Sequence, residues 1–452
     1  MGKNKGKKLK WWQLSILGIG FIIGTGFFLG STIAIRSAGP AVVITFFLAA
    51  VGTYIVYDVL GRMTALDPQE GSFSYYSKKA YGHWAGFSSG WVYWSSEMLI
   101  MGSQMTGISI FTRFWFENIP IWIFASVYTV LAIGIVLVGI KWFERIGNVF
   151  AFAKLSAIIM FIILALLALF GVLKGDTDFQ KPTTLASFIP YGWKGMWAAL
   201  LFSFYAYGGI EIMGIYATRL KDPKDTPKSG KFMLMLLTII YILSVGLAII
   251  LVPLRTFNME ESPFVVALHN FHLAFVPHVF NGILIIAGFS TMTASLFAVT
   301  TMLVNLAKDG DAPARLGKGG KLAVPLPALA MTTSGLIISI VLGLLLPDQV
   351  YEYITTAAGL MLLYNWLFIL FSSKKLLKVS MFDHVKRYLG TILILLAVTG
   401  SIFHGSSRPG FFISLFFLVI IGGITILMNR KWKKGGSKPT GIYQIINGEK
   451  EK

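Results

Sequence analysis

The sequence predicts an all-α membrane protein with twelve transmembrane helices, and three observations carry that prediction. Of its 452 residues, 55% are hydrophobic and only 13% charged, with a mean hydropathy of +0.71. Windows such as Ile158 to Val172 and Ile413 to Met428 hold no charge at all. A helix needs roughly 20 mostly apolar residues to cross a ~30 Å hydrocarbon core, and such windows supply them. The third observation is the placement of the basic residues. With an inside N-terminus, 31 Lys and Arg fall on the cytoplasmic side and 7 outside, and Lys154 lies within a span. Loops kept in the cytoplasm hold the excess of Lys and Arg, so both termini are expected inside a cell membrane.

The first six spans are expected near 15–36, 41–61, 86–108, 119–140, 147–173 and 195–218. Six more follow near 231–252, 278–303, 325–346, 352–371, 388–405 and 409–429. Pro40 and Pro409 separate the two closest pairs, because proline removes a helical hydrogen bond and clashes with the preceding turn. Trp11 and Trp12 stand just before the first run, where aromatic rings favour the lipid interface. The basic segment 1–14 reads as cytoplasmic and retained, since the apolar run after it continues past Gly30 without a small-residue cleavage pattern. The tail 430–452 reads as a solvated, basic cytoplasmic anchor.

A net charge of +19 would suggest nucleic acid in a soluble chain, but here it follows the membrane topology, and the lipid bilayer is the partner it implies. The chain has no cysteine, which excludes disulfides and thiolate metal sites. Its six histidines fall in loops or at span ends without metal-ligand spacing, and no cofactor or metal is expected. Gly86-Phe87-Ser88-Ser89-Gly90 fits the nucleophile-elbow pattern, but that elbow requires a strand before it, and here a loop leads into an apolar helix. No phosphate-binding glycine loop is present, which disfavours a primary pump.

Two spans look interrupted. Gly24-Thr25-Gly26 divides the first between two short apolar pieces, each too short to cross alone, and Tyr207-Gly208-Gly209 divides the sixth just before Glu211. Matched interruptions five spans apart are the signature of an inverted repeat with a midplane binding site. Opened N–H groups at a half-helix N-terminus hold a carboxylate, and freed carbonyls hold an ammonium. An amino acid carries both. The competing account is that Gly20, Gly24, Gly26 and Gly30 only let two helices pack closely. The polar Thr25 and the carboxylate of Glu211 would be expensive in breaks that served packing alone.

At these residues the sequence resembles the amino acid-polyamine-organocation superfamily, and within it the bacterial amino acid permeases of the amino acid transporter family. The resemblance runs through Ile23 to Phe27, Gly71-Ser72-Phe73, Tyr81-Gly82 and Gly90-Trp91-Val92-Tyr93-Trp94. It continues through Phe204 to Glu211, Asp222-Pro223 to Pro227, and Leu306 to Pro313. It implies a five-plus-five inverted repeat, spans 1–5 over 15–173 and 6–10 over 195–371, with two added helices over 388–429. It also implies proton-coupled or exchange transport of an amino acid.

Carried over by resemblance, Ile23, Gly24, Thr25 and Gly26 bind the substrate carboxylate, and backbone from Phe204 to Gly208 binds the amino group. Tyr205 and Tyr207 line the pocket, Glu211 matches a carboxylate implicated in gating, and Lys154 matches a lysine that stands where sodium-coupled relatives hold a cation; it is the expected proton-coupling residue. Three positions depart from the family pattern. Gln104 stands where many members carry Glu, Glu97 where Trp is common, and Arg219 where Glu is frequent.

Lys154 also stands out on physical grounds, since a central lysine costs roughly 2.5–3.5 kcal/mol on insertion scales and so needs compensation or a use. The alternative is that its long stem carries the ammonium to the interface. Asp58, four residues before Arg62, reads as half of a helix-end ion pair. The leading expectation is a secondary transporter importing a neutral L-amino acid by proton symport, with alanine, serine or threonine favoured. The alternatives are an exchanger without proton coupling and a membrane enzyme acting on a lipid-linked substrate. Because the chain lacks cysteine, a single Gln349→Cys substitution tests the topology cleanly. An impermeant thiol reagent should label it from outside, while a tag after Lys452 is reached only from the cytoplasm; the reverse pattern rules out twelve spans with both termini inside.

Overall fold

Helices dominate because a chain this apolar must satisfy its own backbone in lipid, where no water serves a loose N–H or C=O. The computed structural model describes residues 8–69, 71–138, 141–175, 179–318, 324–345, 349–378 and 380–434. Residues 1–7 of the N-terminal segment and 435–452 of the tail lie outside the described residues.

The first expected span is three helices, α1 (Trp11–Ile22), α2 (Thr25–Phe28) and α3 (Gly30–Ala38). A 3-10 turn holding Pro40 leads into α4 (Val42–Leu66). The connection to the third span is itself helical, α5 (Ser72–Tyr81), ahead of the long α6 (His83–Arg113). Next come α7 (Ile121–Val138), α8 (Lys141–Leu169) and the single turn α9 (Leu185–Phe188). The sixth expected span is split into α10 (Gly192–Tyr205) and α11 (Ile210–Tyr216). Then follow α12 (Thr226–Leu251), the short α13 (Pro263–Leu268), α14 (Phe275–Lys308) and α15 (Leu326–Leu345). The chain ends in α16 (Val350–Leu376), α17 (Met381–Phe403) and α18 (Arg408–Lys434), with Pro409 in the first turn of α18.

Among the described residues nine helical stretches are long and apolar enough to cross a membrane. Two of them, Thr25–Leu66 and Leu185–Arg219, are short helices run together. The 31-residue α6 is not among the nine. It is rich in Ser, Gly, Glu97 and Gln104, and it is surrounded by α5, α14, α15, α16 and α18 in place of lipid. At the other extreme only 17% of the most apolar window in Arg408–Arg430 is buried, against 83% in Leu185–Arg219. Helix α18 therefore lies at the periphery, with Phe412, Phe416 and Val419 exposed, and α10 and α11 lie at the centre.

The core beside α2 is aromatic. Phe27 stacks on Tyr241 with ring centres 3.7 Å apart, and Phe46, Phe264 and Tyr207 complete the cluster. Arg62 meets Asp58 at 3.8 Å but makes its shorter contact, 2.8 Å, with Asp383 in the first turn of α17, so the pair links helices as well as capping one. Leu9 is held by backbone as well as by packing of its side chain on the core. Leu9 N–H donates to Arg219 O at 2.8 Å and Lys221 N–H donates to Leu9 O at 2.9 Å, a parallel bridge to the segment after α11.

Helices α4 and α12 approach most closely where Gly230 faces Tyr57. A Cβ on Gly230 would lie 1.6 Å from Tyr57 Cε1. Gly230→Ala should destabilise the protein by roughly 1–3 kcal/mol, the usual range for overpacking. Thermal unfolding in detergent measures it, and the added loss should vanish in a Tyr57→Ala background.

Candidate functional site

The break in the first span falls at Ile23 and Gly24. Ile23 N–H closes the last bond of α1 onto Ile19 O at 3.0 Å, and Gly24 is extended (φ −155°, ψ −166°). The N–H groups of Phe27 and Phe28 then return to Gly24 O, so the helix restarts with Thr25 and Gly26 in its opening turn. Helix starts leave their first N–H groups without intrahelical acceptors. In the sixth span the chain leaves α10 at Tyr205 and turns through Ala206 to Gly209. Gly209 has φ 111°, a left-handed conformation open chiefly to glycine.

The two breaks touch. A Cβ on Gly26 would stand 2.9 Å from Tyr205 Cε1, and one on Gly209 would stand 3.3 Å from Ile22 Cγ1. Side chains from four helices reach backbone groups at or beside the breaks. Tyr351 OH of α16 donates to Thr25 O at 3.0 Å, and Tyr241 OH of α12 donates to Ala206 O at 3.1 Å. Glu211, wholly buried, accepts from Gly209 N–H at 3.1 Å through Oε1 and from Trp366 Nε1 at 3.2 Å through Oε2. Lys154 of α8, 2% exposed, donates to Gly20 O in the last full turn of α1 at 2.8 Å. It also donates to Thr291 Oγ1 of α14 at 2.9 Å. Its ammonium thus points into the bundle and away from the interface.

Gly20 adds the packing role that small residues suggested. A Cβ there would stand 2.4 Å from Ala151 Cβ, so α1 and α8 meet nearly backbone to backbone. Packing and interruption occupy different glycines of one helix, Gly20 for the first and Gly24 for the second.

Between the breaks lies a cavity of about 50 Å³, room for a few water molecules and too small for an amino acid, so loading requires its walls to part. Of the residues expected to bind substrate, Gly24, Gly26, Tyr205 and Gly208 line it. The others stand behind. Ile23 is in the hydrophobic core, and Phe204 packs against Trp366 with ring centres 6.0 Å apart. Tyr207 turns toward Phe46 and Tyr241, and the Thr25 side chain lies against Gly107 and Gly288. The remaining lining includes Phe21, Glu97, Gln104, Thr291 and Ser295. Thr25 Oγ1 and Gln104 Oε1 are buried without a hydrogen-bond partner among the described residues. Thr291 and Ser295 were hidden in the sequence because one hydroxyl per turn in an apolar helix usually serves the preceding carbonyl, as Thr291 does toward Ala287 O.

No three His, Cys, Asp or Glu side chains converge among the described residues, and Gly86 to Gly90 lies within α6 without a strand before it. A helical bundle with two facing interruptions and a cavity of mixed polar and apolar lining between them fits a membrane transporter. The chain belongs to the amino acid permease family, which it matches over residues 13–383. It is 53% identical to the uncharacterized transporter YcgH of Bacillus subtilis (strain 168), over 94% of this chain and 95% of that one. The aromatic amino acid transport protein AroP of Corynebacterium glutamicum is 32% identical over 82% of each chain. The protein of the same name from Escherichia coli (strain K12) is 27% identical over 96% of this chain and 97% of that one. This is a transporter of amino acids, not an enzyme.

Gly26→Val drives two methyl groups into the Tyr205 ring. Purified Gly26→Val protein should lose amino acid binding by at least tenfold while remaining folded; wild-type affinity would remove this segment from the site.

Proposed function

We propose that this chain is a secondary active transporter of the cell membrane that imports a neutral L-amino acid by proton symport with alternating access. On this reading its twelve spans form the five-plus-five repeat with two added helices, and both termini are cytoplasmic. The backbone of Ile23 to Gly26 receives the substrate carboxylate, and that of Phe204 to Gly208 receives the ammonium. Glu211, bonded across the second break, serves as the gate. The names of the Escherichia coli and Corynebacterium glutamicum relatives favour an aromatic side chain over the small one suggested by sequence, and Phe21, Ile100 and Ile212 offer it apolar walls.

The observation that carries proton coupling is the position of Lys154. Its two hydrogen bonds join α8 to the end of α1 and to α14, at the edge of the break. A protonated lysine donates three hydrogen bonds, and bonds from a charged donor contribute about 1.5–3 kcal/mol each. Deprotonation weakens both contacts and frees α1 to move from α8. Proton occupancy then biases which side of the cavity opens, and a pH gradient drives accumulation.

The test is uptake into proteoliposomes with an imposed pH gradient, alkaline inside, and all twenty amino acids as competitors. Wild type should concentrate substrate. Lys154→Ala should retain exchange across the membrane yet lose gradient-driven accumulation. If Lys154→Ala concentrates substrate as wild type does, the lysine is not the coupling group. Exchange by wild type with no response to the gradient favours an uncoupled exchanger instead.

A further inference from the structure

Glu97 has no part in the scheme above, yet it lies on the cavity wall with 2% of its surface exposed. It shares a face of α6 with Gln104, seven residues and so two turns away, about 10 Å along the axis. Gln104 belongs to the end at the first break, since a Cβ on Gly24 would stand 3.8 Å from its Nε2. Thr291 is at that end too, 3.6 Å from the same point. One turn further along α14, Ser295 faces Glu97. Two helices therefore run the same polar sequence away from the break, Gln104 then Glu97 on one and Thr291 then Ser295 on the other. Ile100, Ala294 and Ala298 make the walls between these ends apolar.

The carboxyl of Glu97 faces the hydroxyls of Ser295 and Tyr93 and lies within electrostatic reach of the Glu211 carboxyl, with no cationic side chain among these neighbours. A carboxylate has about four acceptor positions, so two hydroxyl donors leave capacity unused. A buried acceptor left short of donors is costly, and a ligand that supplies one relieves that cost.

We propose that Glu97 is a specificity-determining residue that reads the far end of the substrate side chain. It selects a neutral aromatic amino acid whose ring carries a hydrogen-bond donor, tyrosine first and tryptophan second. The inference rests on the transport reading, in which the amino and carboxyl groups sit at the breaks. From there the side chain passes along Ile100, Ala294 and Ala298 and places its phenol O–H or indole N–H at the Glu97 carboxyl. Phenylalanine fills the same walls but leaves Glu97 without its donor. A site built to bond a substrate hydroxyl discriminates strongly against the analogue that lacks it.

Thermal stabilisation of the purified protein by each amino acid tests this, because a ligand that binds only the folded state raises the unfolding temperature with concentration. Wild type should require at least tenfold less tyrosine than phenylalanine for the same shift. In Glu97→Met the concentrations of tyrosine and phenylalanine needed for the same shift should converge. Glu97→Gln, which keeps one acceptor oxygen, should retain part of the preference. Equal concentrations of tyrosine and phenylalanine in wild type overturn the inference without any variant, as does a ratio that survives in Glu97→Met. So does a larger shift with lysine or arginine, which would assign the carboxyl to a cation. If none of the twenty amino acids shifts wild type, the transport reading itself fails with it.

Discussion

A lipid interior offers no partner to a loose backbone group, and the whole architecture answers to that constraint. A helix can be interrupted there only if other parts of the protein take over the bonds it gives up. Four side chains do so, Tyr351, Tyr241, Lys154 and Glu211, and each reaches a backbone atom at or beside a break. Helices α8, α11, α12 and α16 supply them. The same covering keeps the lipid-facing helices, such as α18, free to be apolar throughout.

These four contacts differ in kind, and the difference matters for movement. The tyrosines offer neutral hydroxyls, whose bonds contribute about 0.5–1.5 kcal/mol and do not depend on charge near neutral pH. Lys154 and Glu211 can change charge, so the bonds they make to Gly20 O and Gly209 N–H change strength with a proton. One titratable contact stands at each break. A bundle stitched only by hydroxyls would be equally rigid but indifferent to protons.

Much of this was legible in the sequence, for physical reasons that can be traced. Gly24-Thr25-Gly26 and the Gly208-Gly209 doublet in otherwise apolar runs located both interruptions, within about two residues of Ile23–Gly24 and Ala206–Gly209. Charge in an apolar helix singled out Lys154 and Glu211, because few compensations make such burial tolerable. Less legible was which face each residue presents. Tyr205 and Tyr207 are two apart on a helix end and point to opposite sides, one to the cavity and one to the aromatic core. Local spacing carries no information about the partner helix. For the same reason Thr291 and Ser295 passed unnoticed, since their use depends on where α14 lies relative to α1 and α6. The helical character of α5 was missed because its apolar residues are too few to mark a span.

The backbone bridge at Leu9 makes the two broken helices mechanically dependent. Leu9 precedes α1 by a single residue, and Leu220 follows α11 after one short turn. Paired backbone hydrogen bonds resist sliding along the strand direction yet permit rotation about it. The bridge thus links the start of α1 to the segment after α11 by a route that does not pass through the cavity. One wall of the cavity is therefore joined to the other through the short stretch from Leu9 to α1.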